Sequence, residues 1–465
     1  MKSSVQRSHP SPAGSSPIVP IAGSKASHCI AALLLHRTIQ RCNTCLVAVF
    51  VSSAREHGSV DAKDVEIHSQ EPQRGTAAEV FSAFLTLGVT SFGGPVAHLG
   101  YFHEAFVVRR KWIGEAAYAD LVALCQFLPG PASSQVGMAL GLRRAGYAGM
   151  LAAWVAFTLP SAILLVAFAW GAAAIAPEAG GWIEGLKAAA VAVVAQAVIA
   201  MAASLTPDRE RATVAVVAMI VAMLVPTAAG QVLAIAAGGI AGLVWLRPSL
   251  PQMTRHDSLA VTTGKTAGVA FLAVFALLLV ALPLLVSWTA DPVLAMIDSF
   301  YRTGSLVFGG GHVVLPLLEA EVVQTGRVGE QAFLAGYGAA QAVPGPLFAF
   351  AAYLGAVYTS APSGLLGAAI ALVAIYLPSM LLIVGVLPFW EGLRMAPLAR
   401  RALLGVNAAV VGLLAAALYD PVFTVGIVSG NAMAIAAASF VALTAWKAPP
   451  WAVVVAAGVA GFLIL

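Results

Sequence analysis

The sequence predicts an all-α polytopic membrane protein, with about 13 transmembrane helices in two homologous halves that form an inverted repeat. Three observations predict it. Hydrophobic residues make up 60% of the chain and charged residues 10%, whereas a soluble domain carries about 25% charged residues. From about residue 77 onward, apolar runs long enough to cross a bilayer alternate with short polar breaks. A glycine- and proline-rich cassette occurs twice, with an odd number of crossings between its two occurrences.

The cassette runs FLTLGVTSFGGPVAHLGYF from Phe84 and closes with QFLPGP at Pro131. It returns as FYRTGSLVFGGGHVVLPLL from Phe300 and closes with QAVPGP at Pro346. Phe84, Gly88, Phe92, Gly93 and Gly94 align with Phe300, Gly304, Phe308, Gly309 and Gly310. Pro129, Gly130 and Pro131 align with Pro344, Gly345 and Pro346, and Leu159-Pro160-Ser161 with Leu377-Pro378-Ser379. The offset stays between 215 and 218 residues through all three matches, the mark of a duplicated unit.

Taken in order, residues 1–75 form an N-terminal extension rich in Ser, Ala, Pro and basic residues. Its first acid is Glu56. That composition resembles a transit peptide, but a disordered tail or a mis-assigned start fits it better, because it has no clear cleavage signal. Residues 77–246 make up the first repeat, 247–289 a polar linker plus one extra apolar helix, and 290–465 the second repeat. In copy one the cassette occupies the candidate spans 77–103 and 117–142, and in copy two the spans 293–318 and 331–357. The extra helix, 267–289, has no partner in the first copy, so the second copy enters the membrane from the opposite side.

Counting loop charges tests this topology. With thirteen spans, fifteen Lys and Arg fall on the N-terminal side, and only Arg109, Arg110 and Lys111 on the other. The positive-inside rule then puts the N-terminus in the cytoplasm and the C-terminus outside. A rival topology folds each Pro-Gly-Pro segment into a re-entrant hairpin. It lowers the charge bias and makes the copies parallel, but Arg109-Arg110-Lys111 is the one loop that fits the thirteen-span count badly.

The cassette carries chemistry suited to an anion. Gly93-Gly94 and Gly309-Gly310 permit either an unwound backbone or a close helix crossing. Pro129-Gly130-Pro131 and Pro344-Gly345-Pro346 must interrupt a helix, since proline lacks an N–H and clashes with the preceding turn. A helix restarting after such a break presents free N–H groups and a positive dipole end. Ser133 and Ser134 follow the first break and add donors. Ionisable residues within spans are functional candidates. Arg302 could balance anion charge or neutralise Asp298 one turn away. Lys187 and Glu184 form a similar pair. His98 and His312 flank the glycine runs and read as core groups, anion ligands or proton carriers, with Asp298 a further proton-coupling candidate.

Other classes lack support. No P-loop, nucleophile elbow or HExxH helix occurs, so the chain does not read as an ATP-driven pump or an enzyme. No cofactor is implied, and no metal, since His, Cys and carboxylates do not cluster at ligand spacing. Cys42-x-x-Cys45 is a lone pair without the context of a zinc or redox site. The basic residues lie in loops and do not suggest nucleic acid. The partners implied are an oxyanion and the lipid bilayer; a homo-oligomer remains open.

FGGPVAHLGYF with VVRRKWI, QFLPGPASSQVG, FGGGHVVLPLL and QAVPGPLFAFAAYLG together resemble the chromate ion transporter family in its long, two-domain form. The resemblance covers residues 77–465. It implies an inner-membrane protein that exports chromate and confers chromate resistance. A carrier of sulfate or another tetrahedral oxyanion, or a passive anion channel, would use similar physics. Under this reading the substrate-binding set is Gly93, Gly94, Pro129, Gly130, Pro131, Ser133, Ser134, Arg302, Gly309, Gly310, His312, Pro344, Gly345 and Pro346.

Overall fold

The glycine and proline breaks divide the cassette helices in a computed structural model of the chain. The structure describes residues 75–174, 180–246, 264–308, 310–394 and 396–465. The N-terminal extension, its cysteines and Gly309 lie outside the described residues. Among the described residues the regular structure is entirely helical.

In the first repeat, α1 (Ala77–Thr90) ends at Ser91, and α2 (Gly94–Phe102) begins after Gly93 and continues as a π turn to Arg109. Helix α3 (Glu115–Phe127) ends at the Pro-Gly-Pro break, and α4 (Ala132–Ala174) follows with a bend at Ala145–Gly146. Three helices complete the repeat: α5 (Gly181–Leu205), α6 (Arg209–Leu224) and α7 (Ala228–Trp245). Helix α8 (Lys265–Thr289) is the extra element. It has the highest mean hydropathy of the long helices, 3.0, and only 6% of its apolar window is buried, as expected of a helix turned to lipid.

The second repeat starts with α9 (Pro292–Leu306), capped by Asp291, whose side chain accepts hydrogen bonds from Val293 and Leu294 N–H. After the glycine run comes a helical segment of a 3₁₀ turn, α10 (Val314–Leu318) and a π turn to Val323. Helix α11 (Glu330–Ala342) leads to the second Pro-Gly-Pro, and α12 (Phe350–Ala356) leaves it. Then come α13 (Gly364–Val386), α14 (Trp390–Arg394), α15 (Pro397–Ala417), α16 (Thr424–Gly426), α17 (Gly430–Thr444) and α18 (Pro450–Ile464).

Among the described residues, six helices are long and apolar enough to cross a membrane, fewer than the thirteen expected. The cassette accounts for much of the difference: each of its four expected spans is broken near the middle by glycine or proline, so hydrophobic length alone overstates what the backbone can build.

Contacts show which way the cassette segments run. The Gly75 N–H donates to the Arg144 carbonyl at 2.9 Å, and Arg144 pairs with Glu79 at 3.0 Å. The Arg144 guanidinium lies 5.2 Å from the Trp112 ring centroid, and Arg110 lies 5.7 Å from the same ring. The start of α1, the turn after α2 and the bend of α4 therefore share one end of the molecule. Helices α1 and α2 form a hairpin, zipped by Phe84 against Phe102 and Phe106 at 5.5 and 4.8 Å. Helix α3 and the first part of α4 form another. This corrects the expectation that Arg109, Arg110 and Lys111 lie across the membrane from Arg143 and Arg144. Tyr147 stacks on Phe271 of α8 at 6.0 Å, and Gly268 of α8 meets Gly385 and Phe389 at the end of α13. Arg401 at the start of α15 donates to the Leu246 carbonyl.

At the opposite end of α4, Phe168 lies 5.8 Å from Tyr353 of α12 and 5.6 Å from Trp182 of α5. The turns of the second cassette gather there, where the Thr359 N–H donates to the Arg327 carbonyl at 2.9 Å and Arg327 covers Tyr358. Between the ends, corresponding residues of the two copies meet reciprocally. The Gly130 N–H donates to the Val307 carbonyl at 2.6 Å, and the Gly345 N–H to the Ser91 carbonyl at 2.9 Å. Gly185 of α5 packs on Ala457 of α18, while Gly405 of α15 packs on Gly238 of α7.

Candidate functional site

The two glycine breaks and the second Pro-Gly-Pro break converge on one cavity of ≈ 350 Å³. Gly93, Gly94 and Pro95 line one wall, and Gly310, Gly311 and His312 another. Gln341, Val343, Gly345 and Leu347 come from the second Pro-Gly-Pro segment. Helix α5 adds Val193, Gln196, Ala197, Ala200 and Met201, and α18 adds Pro450. Beside it, Phe92 packs on Trp451 at 5.7 Å, so the turn between α17 and α18 reaches the level of the first glycine break.

Backbone conformation explains the glycines. Gly93 and Gly94 have φ of +102° and +78°, and Gly310 +138°, where a Cβ costs about 1–2 kcal/mol. The chain turns there without a side chain filling the space. Helix α2 has no side-chain cap at Gly93, so its first N–H groups remain available to a ligand.

The expected site residues divide into those the cavity gathers and those it does not. Gly93, Gly94, Gly310, His312 and Gly345 line it. Pro129, Gly130, Pro131, Ser133, Ser134, Pro344 and Pro346 lie outside its lining. Ser133 is within 3.4 Å of His98 Nδ1, and the other ring nitrogen of His98 is 3.3 Å from the Ser91 carbonyl. His98 is thus fully buried with both nitrogens engaged, edge-on to Phe157. Gln135 donates to the Pro129 carbonyl at 2.7 Å and closes the first Pro-Gly-Pro turn from within.

Arg302 also lies outside the cavity lining. It is bonded to Asp298, as the spacing suggested, and to Glu321 at 3.4 Å. Both acids are buried. Two carboxylates thus surround the guanidinium, and its charge is met within the protein. Lys187 is likewise bonded to Glu184 and Gln331.

Sequence reasoning missed Glu321, Gln196, Gln341 as a lining residue, and Tyr337, whose hydroxyl is 2.9 Å from His312 Nδ1. Glu321 sits past the expected end of its span. The glutamines carry no charge, so a search for ionisable groups passed over them, although an amide in an apolar helix is itself a signal. Among the described residues no group of His, Cys, Asp and Glu could hold a metal ion. Among the described residues no Asp, Glu, Lys or Arg lines the cavity, and the polar groups that do are backbone amides, two glutamines and one histidine.

Comparison with known proteins gives this arrangement a family. The profile of the chromate transporter family matches residues 78–243 and 294–462. The chain is 30% identical to the chromate transport protein of Pseudomonas aeruginosa over 83% of this chain and 92% of that protein. It is 28% identical to the probable chromate transport protein of Synechococcus elongatus over 74% and 87% of the two chains. It is 27% identical to the chromate transport protein of Cupriavidus metallidurans over 74% and 82%. No solved structure matches it. Two matched segments and relatives aligned over most of their length make the chain a member of the chromate transporter family.

Proposed function

We propose that this chain carries chromate across the cytoplasmic membrane, outward, as a secondary transporter and not an enzyme. The observation that carries the reading is the cavity between the two glycine breaks, shared by both repeats and lined by neutral hydrogen-bond donors. Gly93, Gly94, Gly310, His312 and Gly345 belong to the substrate site. Gly309, which precedes Gly310 in the sequence, is assigned to the same site. The Pro-Gly-Pro prolines, Gly130, Ser133 and Ser134 support the site from behind.

The two repeats, 77–246 and 290–465, form an inverted pair under this reading, with 247–289 carrying the chain across between them. Four re-entrant hairpins, two per repeat, replace spans in the thirteen-span count. Supporting this are the reciprocal Gly130–Val307 and Gly345–Ser91 bonds and the gathering of the two cassettes' turns near opposite ends of α4. Arg109, Arg110, Lys111, Arg143, Arg144, Lys265, Arg400 and Arg401 then share one end, which the positive-inside rule makes cytoplasmic, and Arg327 lies at the other. The N-terminus is cytoplasmic and the C-terminus outside. Alternating access arises as one repeat rocks against the other about the shared cavity. A dianion leaving a cell that is negative inside is driven by about 2.3 kcal/mol per charge per 100 mV, so a coupled proton is not required.

Expression in a chromate-sensitive host tests the function. Cells should accumulate less chromium and survive higher chromate, with sulfate competing only weakly. Unchanged chromium content would overturn chromate export, and complete suppression by sulfate would favour a general oxyanion carrier. Vesicles that equilibrate chromate without accumulating or exchanging it would point to a channel.

A further inference from the structure

Among the described residues no Lys or Arg lines the cavity, so an oxyanion held there is met by N–H donors. His312 can serve only if its cavity-side nitrogen carries a proton. That depends on its neighbours. Nδ1 of His312 is 2.9 Å from the Tyr337 hydroxyl, and Nε2 has no hydrogen bond to the described residues. Tyr337 is fully buried and has one proton to give. The side chain of Gln341, one turn further along α11, approaches the same hydroxyl without completing a hydrogen bond. Gln341 Nε2 is itself buried at the cavity without an acceptor in good hydrogen-bond geometry.

These three groups have two consistent proton arrangements. If Gln341 turns its N–H₂ toward the tyrosine oxygen, Tyr337 donates to His312 Nδ1, and Nε2 carries the imidazole proton. If Gln341 turns its carbonyl toward Tyr337, the tyrosine proton goes there, Nδ1–H donates to the tyrosine, and Nε2 presents a lone pair. Only the first arrangement offers the cavity a donor, and only a lone pair would repel an oxyanion.

We propose that Tyr337 and Gln341 hold His312 as the neutral Nε2–H tautomer, making His312 a specificity-determining donor for a tetrahedral oxyanion and Tyr337 a positioning residue that acts through it. The inference rests on the transport reading above. Recognition is then by neutral donors: the amides of the glycine breaks, Gln196, Gln341 and His312. Their direction, and not a positive charge, distinguishes an oxyanion from a spherical halide. Copy one has no counterpart, because Val122 stands at the position aligned with Tyr337.

Two measurements test it. In vesicles taking up chromate, Tyr337→Phe should raise KM roughly five- to tenfold, the worth of one hydrogen bond, with Vmax little changed. His312→Gln replaces the imidazole with an amide that has no tautomers and should itself raise KM while leaving measurable uptake; in that background Tyr337→Phe should raise KM further by less than about twofold. Equal effects in both backgrounds would overturn the proposal, since Tyr337 would then act independently of His312. If Tyr337→Phe fails to accumulate, the tautomer of His312 in the unaltered protein, measured as follows, carries the test. The second measurement needs no transport: ¹⁵N spectra of the imidazoles, with His312 assigned by difference from His312→Gln. The Nε2–H tautomer is expected in the unaltered protein and a mixture in Tyr337→Phe. An Nδ1–H tautomer overturns the proposal, whereas absent chromate uptake with an Nε2–H tautomer overturns only the transport reading.

Discussion

The Gly345 amide donates a hydrogen bond to the Ser91 carbonyl at 2.9 Å, tying the second Pro-Gly-Pro turn to the first glycine break. The two segments lie in different repeats, yet each satisfies a backbone group that the other's break has freed. In a membrane such groups cost several kcal/mol if left unpaired. The breaks that would be liabilities in separate helices therefore hold the repeats together at the cavity.

Gly345→Ala should destabilise the protein by about 1–3 kcal/mol, because φ is +98° and the new Cβ would meet Ser161 Oγ. Thermal unfolding in detergent measures this. Adding Ser161→Ala should restore part of the loss by removing the steric partner, while the strain at φ persists. Full stability in the single variant would mean that the turn relaxes freely.

Arg302→Gln should reduce folded protein in the membrane, since Asp298 and Glu321, both buried, would lose their shared cation. For fully buried pairs the loss is about 3–5 kcal/mol, and the partly exposed Arg302 brings it lower here. The triple neutral variant Asp298→Asn, Arg302→Gln, Glu321→Gln should accumulate better than Arg302→Gln alone. Normal accumulation of Arg302→Gln with transport abolished would instead give Arg302 a substrate role.

Arg110→Cys and Arg327→Cys, in a background without Cys29, Cys42, Cys45 and Cys125, report orientation. A membrane-impermeant thiol reagent applied to intact cells should label position 327 and spare position 110. Labelling of both, or of 110 alone, contradicts the hairpin arrangement of the first cassette.

Gln196→Leu should raise the chromate KM roughly five- to tenfold with normal protein levels, because it removes an N–H donor from the cavity without disturbing a named hydrogen bond. An unchanged KM would place the substrate elsewhere.

Much of this architecture was legible in residue order. The duplicated cassette, the breaks at Gly93, Gly310, Gly130 and Gly345, and the Asp298–Arg302 pair follow from local rules: proline cannot continue a helix, glycine permits positive φ, and residues four apart share a helix face. The poor fit of Arg109-Arg110-Lys111 was also visible in the charge count. Its cause was not, because a broken helix and a hairpin have the same hydropathy profile. Tertiary contacts distinguish them: Phe84 packs back on Phe102 and Phe106, and Trp112 meets both Arg110 and Arg144.

The helical membrane class, the duplication and the positions where the backbone must break depend on composition and on neighbours along the chain, and residue order is enough to read them. Which way the chain turns at each break, and which donors meet at the cavity, follows from packing between distant segments. Gln196 and Gln341 are 145 positions apart in the chain, and no local rule joins them. Arg302, the residue whose charge most suggested a ligand, is claimed by Glu321, an acid outside its own helix. The physical reason is that a buried charge is settled by whatever packs around it, and packing partners are set by the fold.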